Sequence, residues 1–246
     1  MKNNHEMFDM EIEDGIGITG YGIHIKKENV LVISDLQIGY EQTLISAGVF
    51  IPKFQNKDME ELIKKTVNGR KFDKIVINGD FKHEFARINS QEWQDSLKII
   101  NLLKRSCKSL VLVKGNHDKA IAPIANKNGL EVVDGLLVGN VFLVHGDKLV
   151  DIPSEADIVV IGHEHPAVGL RKDDIRVERF KCFLKGRYKG KDIIVLPSFN
   201  PVTQGTDILV EKLLSPFLEK GLKNFEVYIS EDKVYYFGLV KDLVDM

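Results

Sequence analysis

Cysteine is scarce in this sequence, and with it go the structures that thiols build. Among 246 residues only Cys107 and Cys182 occur, far apart and in no CxxC. A disulfide-stapled scaffold and a zinc finger are therefore excluded, and a reducing compartment fits. No apolar run approaches the roughly 20 residues that cross a bilayer as a helix. The opening stretch MKNNHEMFDMEIEDG lacks the apolar segment of a signal peptide. The expectation is a soluble, cytoplasmic protein with no membrane partner. An excess of one charge is missing too: Lys+Arg is 34 and Asp+Glu 36, so no global field draws the chain to nucleic acid or to an acidic membrane. There is no low-complexity tract, no Pro/Gly/Ser linker and no repeat, and this length suits a single domain spanning residues 1–246.

What is present is alternation. NVLVIS (29–34), KIVING (74–79), SLVLVKG (109–115), NVFLVHG (140–146) and DIVVIGH (157–163) are short and rich in Val and Ile, and each ends in a polar or glycine-containing turn. They read as strands. Helical patterns lie between them. KDMEELIKKTVNG sets Met59, Leu62 and Ile63 on one face and stops at Asn68-Gly69. NSQEWQDSLKIINLLKR opens with Asn89 and Glu92 at capping-box spacing and lines up Trp93, Leu97, Ile100 and Leu103. From about residue 175 the text turns to hairpins: RVERFKCFLKGRYKGKDIIVLPS closing near 186–190, then FEVYIS and KVYYFGLV turning at Glu231-Asp232. TDILVEKLLSPFLEKG (206–221) reads as a core helix kinked or split at Pro216. The predicted architecture is α/β, with the β-rich part 175–246 supplying a second sheet. Gly15, Gly17 and Gly20 match GxGxxG, but no strand precedes them and no helix follows, so a glycine-rich strand or turn is expected in place of a dinucleotide site.

Function is written at the strand ends. The five strands deliver Asp35-Leu36-Gln37, Gly79-Asp80 with His83, Gly115-Asn116-His117-Asp118, His145-Gly146 and Gly162-His163-Glu164-His165; five of the chain's 7 histidines fall in these turns. One such turn is an ordinary loop or cap. Five in succession on one sheet edge meet in one crevice, where Asp35, Asp80, Asn116, His145, His163 and His165 would converge. Carboxylate and amide oxygens mixed with imidazole, without thiolate, suit Mn²⁺, Fe or Zn²⁺. The set exceeds the needs of one tetrahedral ion and matches two, about 3.5–4 Å apart and bridged by one carboxylate. Gly79, Gly115, Gly146 and Gly162 sit where the backbone must turn sharply beside ligands.

The series D-x-(H/Q), G-D-x-x-H, G-N-H-D, H-G and G-H-x-H, in that order over residues 35–165, resembles the signature of the calcineurin-like metallophosphoesterases. DLQIGYEQTLISAGVFIP, HEHPAVGLR, RFKCFL and LPSFNP resemble, within them, the small DNA-ligase-associated phosphoesterases and their archaeal relatives. The resemblance implies a four-layer α/β/β/α sandwich and a binuclear metal-dependent phosphoesterase. It implies a phosphodiesterase or nuclease that uses a metal-bridging hydroxide on a phosphate-ester substrate. The ions would be Mn, with Fe, Zn, Ni or Co as substitutes. Asp35 and His165 would hold one ion, with Gln37 where histidine is usual. Asp80 would bridge, and Asn116, His145 and His163 would hold the second. His117 would contact the phosphate and protonate the leaving group, His83 would help position it, and Asp118 would orient His117 or cap the next helix. A carboxamide is a weaker donor than imidazole toward transition metals, so the first site is expected to be looser or to favour Mn²⁺; the alternative is a non-catalytic binding member of the fold. The stretch 171–191 carries Arg171, Lys172, Arg176, Arg179, Lys181, Lys185, Arg187, Lys189 and Lys191. With Phe180, Cys182 and Leu184 inward, Arg179, Lys181, Lys185 and Phe183 face outward. That face reads either as a solvated hairpin or as a rim for nucleic acid. In PSFNP, Asn200 is a candidate substrate contact.

Overall fold

A computed structural model describes residues 10–46, 48–49, 55–84, 90–171 and 177–243. Two mixed sheets stack face to face. The first runs in chain order through β1 (Met10–Glu13), β2 (Ile16–Thr19), β3 (Gly22–Ile25), β4 (Val30–Ile33), β5 (Phe72–Asn78), β6 (Cys107–Val113) and β7 (Glu131–Val133). β1 to β4 pair antiparallel and β4 to β7 parallel. β4, inside the sheet, is buried on both faces, which is why VLVI is one unbroken aliphatic run. The GxGxxG match falls on β2 and the turns on either side of it, with Ile16–Thr19 paired to β3; a short strand, β1, does precede it, where none was expected, but a strand and not a helix follows.

The second sheet takes β8 (Leu136–Val138), β9 (Val141–Leu143), β10 (Ile158–Ile161), β11 (Pro166–Arg171), β12 (Val177–Tyr188), β13 (Lys191–Val195), β14 (Thr206–Asp207), β15 (Glu226–Ser230) and β16 (Val234–Leu239). Their order is β14-β11-β12-β13-β10-β9-β8, with β15 paired to β12 and to β16. The second sheet thus starts at residue 136, well before 175. The strands expected at 140–146 and 157–163 belong to it and do not extend the first sheet. Their patterns could not reveal this, because a parallel strand buried on both faces looks the same in either sheet.

Helices α1 (Tyr40–Ser46), α2 (Gln55–Val67), α3 (Ser90–Lys104) and α4 (Ala122–Asn128) follow β4, β5 and β6 in the chain. Met59 and Ile63 of α2, Ile99, Ile100 and Leu103 of α3 and Ile124 of α4 pack on Leu31, Ile33, Ile75, Ile77 and Leu112. Each such side chain contributes roughly 1.5–3 kcal/mol by burial. Trp93 and Leu97 flank the buried face of α3 and are half-buried; the expected cap Asn89 lies outside the described residues. Between the sheets, Ile18, Ile23, Val32 and Val76 meet Leu143, Val160, Phe183 and Ile194.

The outer face of the second sheet is closed by Ile208, Phe217, Leu218, Leu222 and Phe225 together with α5 (Val240–Leu243). The helix expected at 206–221 is absent. The segment is β14, turns and a single 3-10 turn at Pro216–Leu218, capped by the Ser215 hydroxyl. Pro216 lacks an N–H, the Asp207 carboxylate takes the amide of Leu209, and Glu164 takes those of Leu214 and Ser215. These partners draw the backbone groups away from a helical ladder.

The hairpin β12–β13 is present, but its outer face is not. β12 is internal to its sheet and covered on both sides, so Phe183 is fully buried between the sheets and Lys181 is 8% exposed. Lys185 pairs with Glu13 at 2.9 Å, Arg187 with Asp192 at 2.8 Å, and Arg179 with Glu211. Lys181 and Phe183 therefore leave the expected outer face, while Arg171, Arg179, Arg187 and Lys189 stay exposed; Lys172 and Arg176 lie outside the described residues. Among the described residues no helix is long and apolar enough to cross a membrane.

Candidate metal centre

Loops from both sheets meet where β4, β5, β6, β9 and β10 end. Asp80, His145 and His163 each present a ligand atom within 4.8 Å of the others. His145 Nδ1 lies 3.1 Å from the Asn78 carbonyl, which can only accept, so Nδ1 carries the hydrogen. Nε2 then faces two oxygens: Asn116 Oδ1 at 3.1 Å and Asp80 Oδ2 at 3.4 Å. With a neutral ring and Asn116 Oδ1 turned toward it, three sets of lone pairs point at one another, an arrangement that a cation relieves. In the metal-free protein a proton does so. Burial pushes the pKa of His145 down, but Asp80 and Asp35 beside it overcome this and hold it at about 10.

A second gathering centres on Asp35. Its Oδ1 lies 3.0 Å from His165 Nε2 and 3.9 Å from His145 Nδ1. The close pair is misaligned for a hydrogen bond, which leaves Asp35 Oδ1 and His165 Nε2 both buried and without a hydrogen-bond partner. Two such atoms facing each other are what two ligands of one ion look like. Oδ2 is held by the Ser34 hydroxyl at 2.6 Å and the His163 amide at 3.1 Å. Burial raises the Asp35 pKa, yet His165, His145 and Ser34 bring it down to about 2. His163, by contrast, is lowered by burial and by His145.

The backbone here is strained. Asp35 (φ 57°), Gln37 (44°), Asp80 (46°), His163 (64°) and His165 (49°) all sit in the left-handed region, at about 1–2 kcal/mol each. Cross-loop bonds hold them there: Asp35 N–H to Gly79 O at 3.1 Å and Gln37 N–H to Asp80 O at 2.9 Å. Gly79 (φ 92°) touches the His145 ring so closely that a Cβ would fall 2.0 Å from Nδ1. A Cβ at Gly115 would fall 2.3 Å from the Asp80 amide nitrogen.

Gln37 is nearly buried, and its carbonyl accepts from Gln55 Nε2 at 3.0 Å and Asn200 Nδ2 at 3.3 Å. Among the described residues no hydrogen bond engages its carboxamide. His117 donates its amide to Asp80 Oδ1 at 2.9 Å and holds Nε2 3.8 Å from Asp80 Oδ2. Its Nδ1 bonds to the His83 carbonyl, and the two rings stack at 5.3 Å. His83 thus reaches His117 through its backbone and ring face, and its own pKa is lowered by burial and by His117. Asp118 is fully buried and accepts from the Phe81 and Gly115 amides at 3.1 and 3.0 Å. It ties two ligand loops together and makes neither a described bond to the His117 ring nor a cap to the turn that follows. Burial and Asp80 push its pKa up to about 7. Asn200 is fully buried, so it braces Gln37 where a substrate contact was expected.

Sequence reasoning assigned no role to Ser34, Asn78, Ser198 or Glu164, and it set Lys181 on an outer face. Ser34 and Asn78 had a signal: a polar residue ending an aliphatic strand just ahead of an acid. Glu164 had none; it is fully buried between two histidines and reaches residues 214–215.

The sequence profile of the family described as calcineurin-like phosphoesterase matches residues 28–238. The chain belongs to that family. As a calcineurin-like phosphoesterase it carries its donor set on the family's fold, and membership supports a hydrolase of phosphoester bonds that uses divalent metal. No curated protein sequence matches the chain. Among solved structures, the nuclease MPE of Pseudomonas putida is similar over 94% of this chain and 100% of its own, at 18% identity and a TM-score of 0.66. The protein AQ665 of Aquifex aeolicus, of unknown function, is similar over 58% of this chain and 81% of its own, at 17% identity and a TM-score of 0.38. The mixed donors, the unbonded Asp35–His165 pair and the lone pairs converging on His145 all fit a bound cation.

Proposed function

We propose that this calcineurin-like phosphoesterase is a binuclear phosphodiesterase, with Asp35, Gln37 and His165 around one ion, Asn116, His145 and His163 around the other, and Asp80 between them. The observation that carries the reading is the trio of Asp80, Asn116 and His145, whose lone pairs converge on one point. Bound divalent ions supply Lewis acidity toward phosphate oxygens and a water of lowered pKa. The chain's own residues do the rest. Asp35 and Asp80 bring negative charge to a buried place, and Asn78 and Ser34 fix the ligands' orientation. His117, whose Nδ1 bonds to the His83 carbonyl, is assigned to hold a phosphate oxygen through Nε2 and, when protonated, to pass its proton to the leaving oxygen. Asp118 is assigned to positioning, because its oxygens are spent on backbone amides. The fold shared with a nuclease makes a nucleic-acid diester the first substrate to try.

The test is direct. Metal-free protein is given Mn²⁺ and an activated phosphodiester, and turnover is expected. Silence with Mn²⁺, Zn²⁺, Fe²⁺, Co²⁺ and Ni²⁺ alike would leave a binding protein on a hydrolase fold. Position 37 has its own test. Gln37→His supplies an imidazole where a carboxamide stood, and the preference for Zn²⁺ over Mn²⁺ should rise about 10-fold or more. Unchanged metal content and unchanged rate would remove Gln37 from the site.

A further inference from the structure

Lys181 is buried, and its Nζ is met by backbone carbonyls where a carboxylate would be usual. Among the described residues no carboxylate pairs with it. Nζ donates to the Ser198 carbonyl at 2.8 Å and to the Asn200 carbonyl, and it lies 4.9 Å from the centre of the Tyr21 ring. Burial drives its pKa down to about 7 against the opposing charges of Asp35 and Glu231, a sign of how costly the site is. What the ammonium grips is the turn after β13. That turn reaches straight into the site: the Ser198 hydroxyl donates to the Asp35 carbonyl at 2.8 Å, the Phe199 amide to Ser34 O at 2.8 Å, and Asn200 Nδ2 to the Gln37 carbonyl at 3.3 Å. Asp35 and Gln37 are the two left-handed residues of the β4 loop. Their carbonyls are pinned by the turn, and the turn's carbonyls are pinned by Lys181.

We propose that Lys181 is a positioning residue for the metal centre, holding Asp35 and Gln37 in their left-handed conformation through the Ser198–Asn200 turn. The inference rests on the reading that these two residues help hold an ion. It gives a lysine from the second sheet a task at the first sheet's ligands, reached through the Ser198–Asn200 turn. It also accounts for a buried cation that neither an ion pair nor contact with substrate explains.

The experiment uses the full chain with Lys181→Met, which keeps bulk and removes charge and donors. By hydrogen exchange, the amides of Asp35, Gln37 and Phe199 should open about 10-fold more often, while those of Val144 and Gly162 stay unchanged. By Mn²⁺ titration calorimetry, affinity should fall about 10- to 100-fold, and kcat should fall with KM nearly constant. Should Lys181→Met not fold, Lys181→Gln, which keeps a donor but is too short to grip both the Ser198 and Asn200 carbonyls, is measured in the same way, with the same outcomes expected. Unchanged exchange in the folded variant, or a loosened loop with wild-type Mn²⁺ affinity, overturns the proposal. Wild-type protein that takes up no Mn²⁺ defeats the functional reading instead, and the exchange comparison then decides the positioning claim by itself.

Discussion

Replacing Asp80 with asparagine should lower kcat/KM by at least about a thousandfold, or roughly 4 kcal/mol of transition-state stabilisation. The side chain keeps its shape, but the charge between the two donor groups is gone. Asp80 Oδ2 faces His145 Nε2 at 3.4 Å and His117 Nε2 at 3.8 Å, and Oδ1 takes the His117 amide. A carboxamide at that place either turns its NH₂ toward His145 or loses the His117 amide. Two measurements check the outcome: metal content after desalting and steady-state rate with saturating Mn²⁺. Asp80→Asn with full metal content and a rate within about tenfold of wild type would show that this carboxylate bridges nothing.

Gly115→Ala is the second large expectation. Its single added methyl would fall 2.2 Å from Asp80 Oδ1 and 2.3 Å from the Asp80 amide nitrogen. The first contact is with a side chain, but the second is with backbone, so no rotamer change clears it. Either β6 and its loop back away from β5, or the left-handed turn at Asp80 gives way. The variant should lose about 1–3 kcal/mol of stability and more than about 100-fold in rate, because displacement by an ångström at a reacting centre costs that much. Thermal unfolding of the metal-free protein separates the two losses. A variant with wild-type melting and wild-type turnover would mean that the β5 and β6 loops are not packed as described.

Much of this arrangement was legible in the text of the chain, for a reason visible in β4 and β5. A strand buried on both faces is a run of Val, Ile and Leu, and the first polar residues after it are forced to the sheet's edge; Asp35 and Asp80 announce themselves that way. The structure gathers them with Asn116, His145, His163 and His165 as that logic demands. Lys181 and Phe183 were misplaced because alternation along β12 predicts a solvent face only where one side of a sheet is open, and here both sides are covered. The helix expected over 206–221 had a plausible apolar period, but Glu164, some fifty positions earlier, claims the amides of Leu214 and Ser215. The same distance hides the Ser198–Asn200 turn: nothing near PSFNP says that its partners are the carbonyls of residues 34, 35 and 37.

The order of the two sheets along the chain has one more consequence. Every proposed oxygen donor, Asp35, Gln37, Asp80 and Asn116, comes from the stretch that builds the first sheet, and every proposed nitrogen donor, His145, His163 and His165, from the stretch that builds the second. The seam between the sheets is therefore also a chemical border. A cation resting on it feels hard ligands on one flank and borderline ones on the other, so a slip of one layer across its neighbour alters the blend of atoms it meets. On the proposed ligand assignment, aliphatic packing between the sheets, such as Phe183 against the first sheet, sets how the two kinds of donor meet.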